Sequence, residues 1–225
     1  MKSIFAPIIL MVAAMTASAT DFSGLSIGQK VGDSKINIGQ FNLTLPEGVW
    51  TVVAKLEARA GSQSGNSASP TQLSVAVARV EANKVLALFI LRTPASSFMI
   101  GPRWADDPCG SISDSLVKDT MKQTFNMPEC FAIVPFDASL FTSATTGMGE
   151  QITKWLQATQ NKLSPKLLRV YYAKYHGGDF LHANMYFPID SLSVPAAEAW
   201  GRGVASAIQK VVTRDSQDAI FPALP

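Results

Sequence analysis

The sequence is poor in the residue types that carry most enzyme chemistry. Its 225 residues include only two histidines, His176 and His182, and only two cysteines, Cys109 and Cys130. It has no Walker phosphate-binding loop, no Gly-x-Gly-x-x-Gly turn and no His-Glu-x-x-His zinc motif. These absences exclude the enzyme classes that such motifs define, so a catalytic site would need residues dispersed along the chain.

Charge is also scarce and nearly balanced. Charged residues make up 16% of the chain, below the usual ~25%, and the formal net charge is +2. This balance predicts neither nucleic-acid binding nor electrostatic attachment to a membrane. Hydrophobic residues make up 47% of the chain, which is ample for a folded core.

Long hydrophobic runs are missing except at the N-terminus. A basic start at Lys2, an apolar stretch from Ile4 to Met15 and the small residues Ala17-Ser18-Ala19 are typical of a secretory signal peptide. We predict that residues 1–19 are cleaved after Ala19 and that the mature chain is periplasmic or secreted. The apolar stretch is shorter than the ~20 residues of a membrane-spanning helix. An uncleaved anchor is the alternative, and after cleavage we expect no membrane span.

Two cysteines in an exported chain most simply form a disulfide. Cys109 and Cys130 would close a loop of about twenty residues, a link that stabilises by roughly 3 kcal/mol in the chain-entropy model. Neither cysteine has a histidine or cysteine neighbour at metal-ligand spacing. The sequence therefore predicts a structural disulfide and no metal site.

Hairpins dominate the predicted secondary structure. Gln72–Arg92 is expected to be the central hairpin, with one wet face on its first strand and both faces of its second strand buried. Another hairpin is expected around Gly177-Gly178. The remaining predicted strands cover residues 38–45, 50–57 and 131–134.

Three segments have helical periodicity. Apolar residues from Ile112 to Phe125 predict a helix clamped at both ends by the disulfide, and a second helix is predicted over Gly147–Leu163. A third helix is expected to begin at Ser193, with Gly201 and Gly203 marking close packing on the sheet. Strands and helices in this order predict an α+β fold, an antiparallel twisted sheet built from hairpins with about three helices packed on it.

The sequence predicts one domain after the signal peptide. We expect a flexible N-terminal arm over residues 20–36, a single α+β domain over residues 37–214, and a tail over residues 215–225. No internal repeat divides the domain.

The candidate catalytic residues cluster at the last hairpin. His176, Asp179 and His182 could form an acid–base pair together with a distant carboxylate. The alternative is that His176-Gly177-Gly178-Asp179 is only a good hairpin turn. Ser115 and Lys118 match a Ser-x-x-Lys pattern, which makes Ser115 a more distant candidate; on an amphipathic helix both would simply face solvent.

The candidate binding residues are Arg103, Trp104 and Asp106 beside the disulfide, and Tyr172 on the last hairpin. A charged and aromatic cluster could hold a small polar ligand, and exposed tyrosines on a sheet could hold sugars or peptides. The alternatives are a surface ion pair on a packed tryptophan, and core packing of the tyrosines.

Taken together, these features predict an exported, non-catalytic binding or accessory protein of the cell envelope. Its partner would be an envelope protein or a small ligand, with no cofactor and no nucleic acid. One alternative is an exported hydrolase with dispersed catalytic residues around the His176–His182 hairpin. Another is a subunit of a larger envelope complex, with residues 98–104 as its interface.

Overall fold

The computed structural model describes residues 20–59, 71–97, 107–120 and 127–225. Its helices are α1 (Ser139–Thr142), α2 (Gly147–Thr159) and α3 (Val194–Val212), with 3-10 turns at Phe22–Gly24, Gly32–Ser34 and Ile189–Ser191. Its strands are β1 (Thr20–Asp21), β2 (Lys30–Val31), β3 (Lys35–Ile38), β4 (Phe41–Thr44), β5 (Trp50–Arg59), β6 (Thr71–Glu81), β7 (Lys84–Pro94), β8 (Val117–Asp119), β9 (Glu129–Asp137), β10 (Lys166–His176), β11 (Asp179–Pro188) and β12 (Asp218–Ile220). Within these described ranges, no helix is both long and apolar enough to cross a membrane.

The strands form two sheets. The larger sheet has the order β2-β5-β6-β7-β11-β10-β9-β8, and all of its neighbouring strands are antiparallel. The smaller sheet has the order β1-β3-β4-β12, with parallel pairs at both ends. The predicted α+β fold, built from hairpins with helices packed on the sheet, is confirmed.

The central hairpin is confirmed, but the prediction that its first strand has one solvent-exposed face is wrong. All residues of β6 from Leu73 to Ala78 are buried. Ala76 and Ala78 pack with Trp155 of α2, while Val75 and Val77 belong to the main core on the other face. In the sequence, small residues that alternate with larger apolar ones look like the solvent-exposed face of a strand. In the structure, their small size allows α2 to approach the sheet closely.

Two hydrophobic clusters lie on opposite faces of the larger sheet. The main cluster, called here the α3 face, packs α3 and the smaller sheet against the strands. At its centre the rings of Trp50 and Phe89 are 4.5 Å apart, and the rings of Phe89 and Trp200 are 5.8 Å apart. The other face, the α2 face, holds α1 and α2 against Leu88 and Tyr186.

Helix α3 begins as predicted. The Ser193 hydroxyl accepts a hydrogen bond from the Ala196 amide, and Pro195 lies in the first turn. A Cβ added at Gly201 would lie 2.7 Å from Cγ1 of Val170 and 2.9 Å from Cε2 of Phe131. The glycine therefore sets the distance between α3 and the sheet.

Gly201→Ala should destabilise the protein by roughly 1–2 kcal/mol, because overpacking outweighs the gain of about 1 kcal/mol in helix propensity. Gly203→Ala is the matched control in the same helix. Its added Cβ would meet only Pro222 of the C-terminal segment, at 3.1 Å. Urea unfolding measures both variants, and an equal effect at the two positions would contradict this account of the packing.

The predicted helix over residues 112–125 is wrong in its described part. Val117–Asp119 is strand β8, which pairs with β9, and the Leu116 amide donates to the Ile133 carbonyl. Met121 and Phe125 lie outside the described residues. The backbone of this segment finds its hydrogen bonds in the edge of β9 instead of in a helix. The disulfide therefore joins the turn before β8 to β9 and clamps no helix.

Helix α2 is shorter than predicted, and both ends of the described chain contain strands. Helix α2 ends at Thr159, four residues before the predicted end, because Gln160 adopts a left-handed conformation with φ of 56°. The expected flexible arm contains three strand segments, and its Phe22 is buried in the main cluster. The expected tail contains β12, and its Phe221 joins the same cluster. Apolar side chains at both ends explain why these polar segments pack.

Candidate functional site

The register of the last hairpin separates the predicted catalytic residues. His176 of β10 pairs with Asp179 of β11, and His182 pairs with Ala173. Cross-strand partners share a face and successive residues alternate between faces. His176 and Asp179 therefore lie on the α3 face, whereas His182 lies on the α2 face. The sheet itself stands between them.

The turn that joins these strands has the geometry expected from its glycines. Gly177 and Gly178 have φ values of 57° and 93°, as a two-residue hairpin turn requires. The partly exposed His176 places Nδ1 3.0 Å from the sulfur of Met127. The turn interpretation of His-Gly-Gly-Asp accounts for this segment without any catalytic role.

Asp179 is buried, with 2% of its surface exposed. Its Oδ2 accepts from Arg214 at 3.3 Å, and Arg214 lies just beyond α3 with a largely exposed side chain. Its Oδ1 is buried without a hydrogen-bond partner among the described residues. The buried Asp179 carboxylate is therefore covered by the Arg214 side chain at the edge of the core.

His182 is buried and both of its ring nitrogens are engaged. Arg92 places Nη2 3.1 Å from Nδ1, and the Tyr175 hydroxyl lies 2.6 Å from Nε2. Arginine can only donate, so Nδ1 accepts and the proton resides on Nε2, which donates to Tyr175. Burial, reinforced by the charge of Arg92, lowers the pKa of His182 from 6.5 to about 3. The imidazole is neutral at physiological pH.

This geometry leaves His182 without a free lone pair. A general base must accept a proton from the reacting group. The lone pair of Nδ1 already accepts from Arg92, and Nε2 carries the proton given to Tyr175. The imidazole thus links the guanidinium to the phenol and holds both in place.

A polar cluster surrounds His182 on the α2 face. We call it the arginine–tyrosine cluster, and it comprises Arg92, Arg169, Tyr171, His182 and Asn184. Tyr171 pairs with Asn184 across β10 and β11, and Arg92 pairs with His182 across β7 and β11. The Tyr171 and His182 rings meet edge to face at 6.2 Å. Arg169 lies over the Tyr171 ring, with Cζ 5.7 Å from the centroid.

Tyr172, a predicted binding residue, is fully buried on the α3 face. Its hydroxyl donates to Oε1 of Glu129 at 2.6 Å, and Nζ of Lys174 lies 2.7 Å from Oε2 of the same carboxylate. Burial, followed by the Glu129 hydrogen bond, raises the pKa of Tyr172. The sequence pattern did not indicate Glu129 or Lys174, although Lys174 is a charged residue between Tyr172 and Tyr175 of one strand.

The predicted disulfide between Cys109 and Cys130 is confirmed. The Cys109 amide donates to Oδ1 of Asp107 at 2.8 Å, and Tyr171 packs against this small cluster. Three predicted binding residues, Arg103, Trp104 and Asp106, lie outside the described residues.

The Ser-x-x-Lys pattern at Ser115 and a second serine pattern at Ser26 both lack the geometry of a nucleophile. Ser115 lies before β8, not on a helix, and Lys118 donates to the Ile112 carbonyl at 3.0 Å. Residues 24–28 also match the Gly-x-Ser-x-Gly spacing, with Ser26 at the centre. That motif needs a strand–turn–helix. Ser26 is instead exposed in a turn closed by Gln29, between a 3-10 turn and β2.

Within the part of the chain that the structure describes, no three His, Cys, Asp or Glu side chains gather as metal ligands would. The chemistry of the site is therefore that of two guanidinium groups, a neutral imidazole and phenol rings on one sheet face.

Comparisons with known proteins add no family. No protein-family model matches the chain, and no curated protein matches it. Among solved structures, the chain is similar to a transcriptional regulator of the GntR family from Enterococcus faecalis V583. The identity is 10%, the match covers 64% of this chain and 96% of that chain, and the TM-score is 0.32. At this TM-score the similarity carries no argument about fold or function.

Proposed function

We propose that this chain is an exported protein of the cell envelope that binds a ligand or partner without turning it over. Two observations support export. The first nineteen residues have the charge, apolar stretch and small residues of a signal peptide. The disulfide between Cys109 and Cys130 is of the kind that persists in oxidising compartments.

The non-catalytic part of the proposal is supported by one observation: the two histidines lie on opposite faces of the sheet. His176 and Asp179 lie on the α3 face, and His182 lies on the α2 face with both nitrogens engaged. No pair among these three residues has the nucleophile–base geometry of hydrolases. A hydrolase would require a rearrangement of the hairpin or a different set of residues.

The arginine–tyrosine cluster supports the binding part of the proposal. It places cations and aromatic rings side by side on rigid strands, an arrangement that suits recognition more than proton transfer. Its side chains are held by cross-strand packing, which reduces the entropy lost on binding a ligand.

Export is tested by producing the full chain in a Gram-negative host and measuring its mass in the periplasmic fraction. We expect a chain that starts at Thr20 and is two protons lighter than its reduced form. A variant with Ala17 and Ala19 replaced by glutamine should retain residues 1–19, because the cleavage site needs small residues. A full-length wild-type chain found only in the cytoplasm would overturn export.

Absence of turnover is tested with esters, phosphate monoesters and peptides as substrates for the purified mature protein. We expect no turnover above that of the His182→Gln variant. Activity that His182→Gln abolishes at an unchanged melting temperature would establish the hydrolase alternative in place of this proposal.

A further inference from the structure

Two arginines on the α2 face of the larger sheet, Arg92 and Arg169, lack an acidic partner among the described residues. Arg92 makes its polar contact with His182, whereas Arg169 lies over the Tyr171 ring and also interacts with the Tyr186 hydroxyl. No described carboxylate lies within ion-pair distance of either guanidinium, and Nε of Arg169 is buried without a hydrogen-bond partner in the described structure. Arginines held this way retain most of their capacity to bind oxygen anions.

The two cations converge on one position. Tyr171 pairs with Asn184. Along the strands, this pair lies between the Arg92–His182 pair and the Arg169–Tyr186 pair. Burial raises the pKa of Tyr171, the positive charges of Arg92 and then Arg169 oppose that rise, and the negative charge of Asp107 adds to it to a smaller extent. Both guanidinium groups therefore act on the same hydroxyl, with one weaker contribution from a carboxylate.

The position between the two arginines also carries a polar side chain, that of Asn184. Asn184 is half-buried, and its side chain has no hydrogen-bond partner among the residues that the structure describes. Its cross-strand neighbours are Tyr171 on one side and Ile90 on the other, and Ile90 is also half-buried. An amide, a phenol ring and an aliphatic side chain thus lie between two cations.

We propose that the arginine–tyrosine cluster binds an organic anion, whose carboxylate, phosphate or sulfate oxygens accept hydrogen bonds from Arg92 and Arg169 and whose flat apolar part lies against Tyr171. This inference rests on the proposed binding function and names the ligand class of the same site. Guanidinium groups match the oxygen geometry of such anions. The Asn184 amide supplies a further donor between the two arginines.

Binding is measured by isothermal titration of the mature protein with phenyl phosphate and with benzoate, using benzamide as the uncharged counterpart of benzoate. We expect at least one anion to bind, and benzamide to bind about tenfold more weakly or not at all. Arg92→Gln and Arg169→Gln should each weaken anion binding by about tenfold or more. Raising the salt concentration should weaken binding further.

The matched control for both variants is Arg79→Gln. Arg79 is also a sheet arginine, but it forms an ion pair with Glu81 at 2.8 Å and lines a different part of the surface. Its replacement should leave anion affinity unchanged within about twofold, a change much smaller than one lost charged hydrogen bond produces.

Asn184→Asp distinguishes binding from mere structural support. The new carboxylate has nearly the same shape as the amide and lies diagonally across the strands from both arginines, within reach of their side chains. It should therefore abolish anion binding while raising the melting temperature, because it supplies the missing counter-charge. A variant that merely misfolds would lower both.

The outcomes are separable. Failure of both anions to bind at millimolar concentration, or equal binding by the wild type and the two arginine variants, would overturn the anion site and leave the proposed binding function standing. Steady hydrolysis of phenyl phosphate would instead overturn the non-catalytic proposal. Binding that both arginine variants and Asn184→Asp remove, and that Arg79→Gln preserves, would establish the site.

Discussion

Glu129→Gln is expected to destabilise the protein by about 3–5 kcal/mol, the cost of breaking a buried ion pair. The side chains of Lys174 and Glu129 are 8% and 6% exposed, so the substitution leaves an ammonium group uncompensated inside the protein. The Tyr172 hydroxyl keeps an acceptor in the glutamine carbonyl, so most of the loss reports the charge. Urea unfolding of the disulfide-intact protein measures the change.

The double variant Glu129→Gln/Lys174→Met separates the charge from the packing. It removes both charges and retains an acceptor for Tyr172, and we expect it to recover most of the stability lost by the single variant. The control on the surface is Glu150→Gln, which breaks the exposed pair between Glu150 and Lys154 at 2.7 Å. This control should cost about 0.5 kcal/mol or less. A cost for Glu129→Gln as small as that of the control would refute the buried-pair account.

Acidification from pH 6.5 to pH 5 is expected to lower the free energy of unfolding by about 1.6 kcal/mol through His182 alone. The folded protein holds His182 neutral, with a pKa of about 3, whereas the unfolded chain binds a proton near pH 6.5. Below pH 6.5 the unfolded state therefore binds more protons than the folded state. The stability is fully present above pH 6.5 and is lost progressively as the pH falls toward 3.

His182→Gln should remove this part of the pH dependence. Its amide oxygen can accept from Arg92 and its amide nitrogen can donate to Tyr175, so it imitates the neutral imidazole without titrating. The control is His176→Gln, on the opposite face and partly exposed, which should retain the wild-type slope between pH 5 and 6.5. Urea unfolding at several pH values measures all three proteins. An unchanged slope in His182→Gln would mean that other groups carry the acid sensitivity.

The sequence correctly predicted the turns and helix starts that depend on residues close together in the chain. The Gly177-Gly178 turn fixed its hairpin, and Ser193 with Pro195 marked the start of α3. The pattern failed around Val117, where apolar residues at helical spacing form a strand. Pairing with the edge of β9 satisfies the backbone there, and no pattern within the segment itself reveals that a partner strand is available.

The candidate site was predictable only in part. Counting outward from the His176–Asp179 turn assigns His182 to the opposite face, so the division of the histidines follows from the sequence once the turn is accepted. The contact between Arg92 and His182 does not follow, because it depends on β7 and β11 becoming neighbours. The same is true of Glu129 and Lys174, since the register of β9 against β10 is set by the tertiary fold.

The parallel pairing of β12 with β4 has a consequence for when the core can form relative to synthesis of the chain. Asn42 can pair with Asp218 only after all of the intervening chain has been made, and Phe221 then joins the cluster that contains Phe22. Pairings between such distant segments form slowly. The core of this protein therefore cannot be completed until the C-terminal segment has been synthesised.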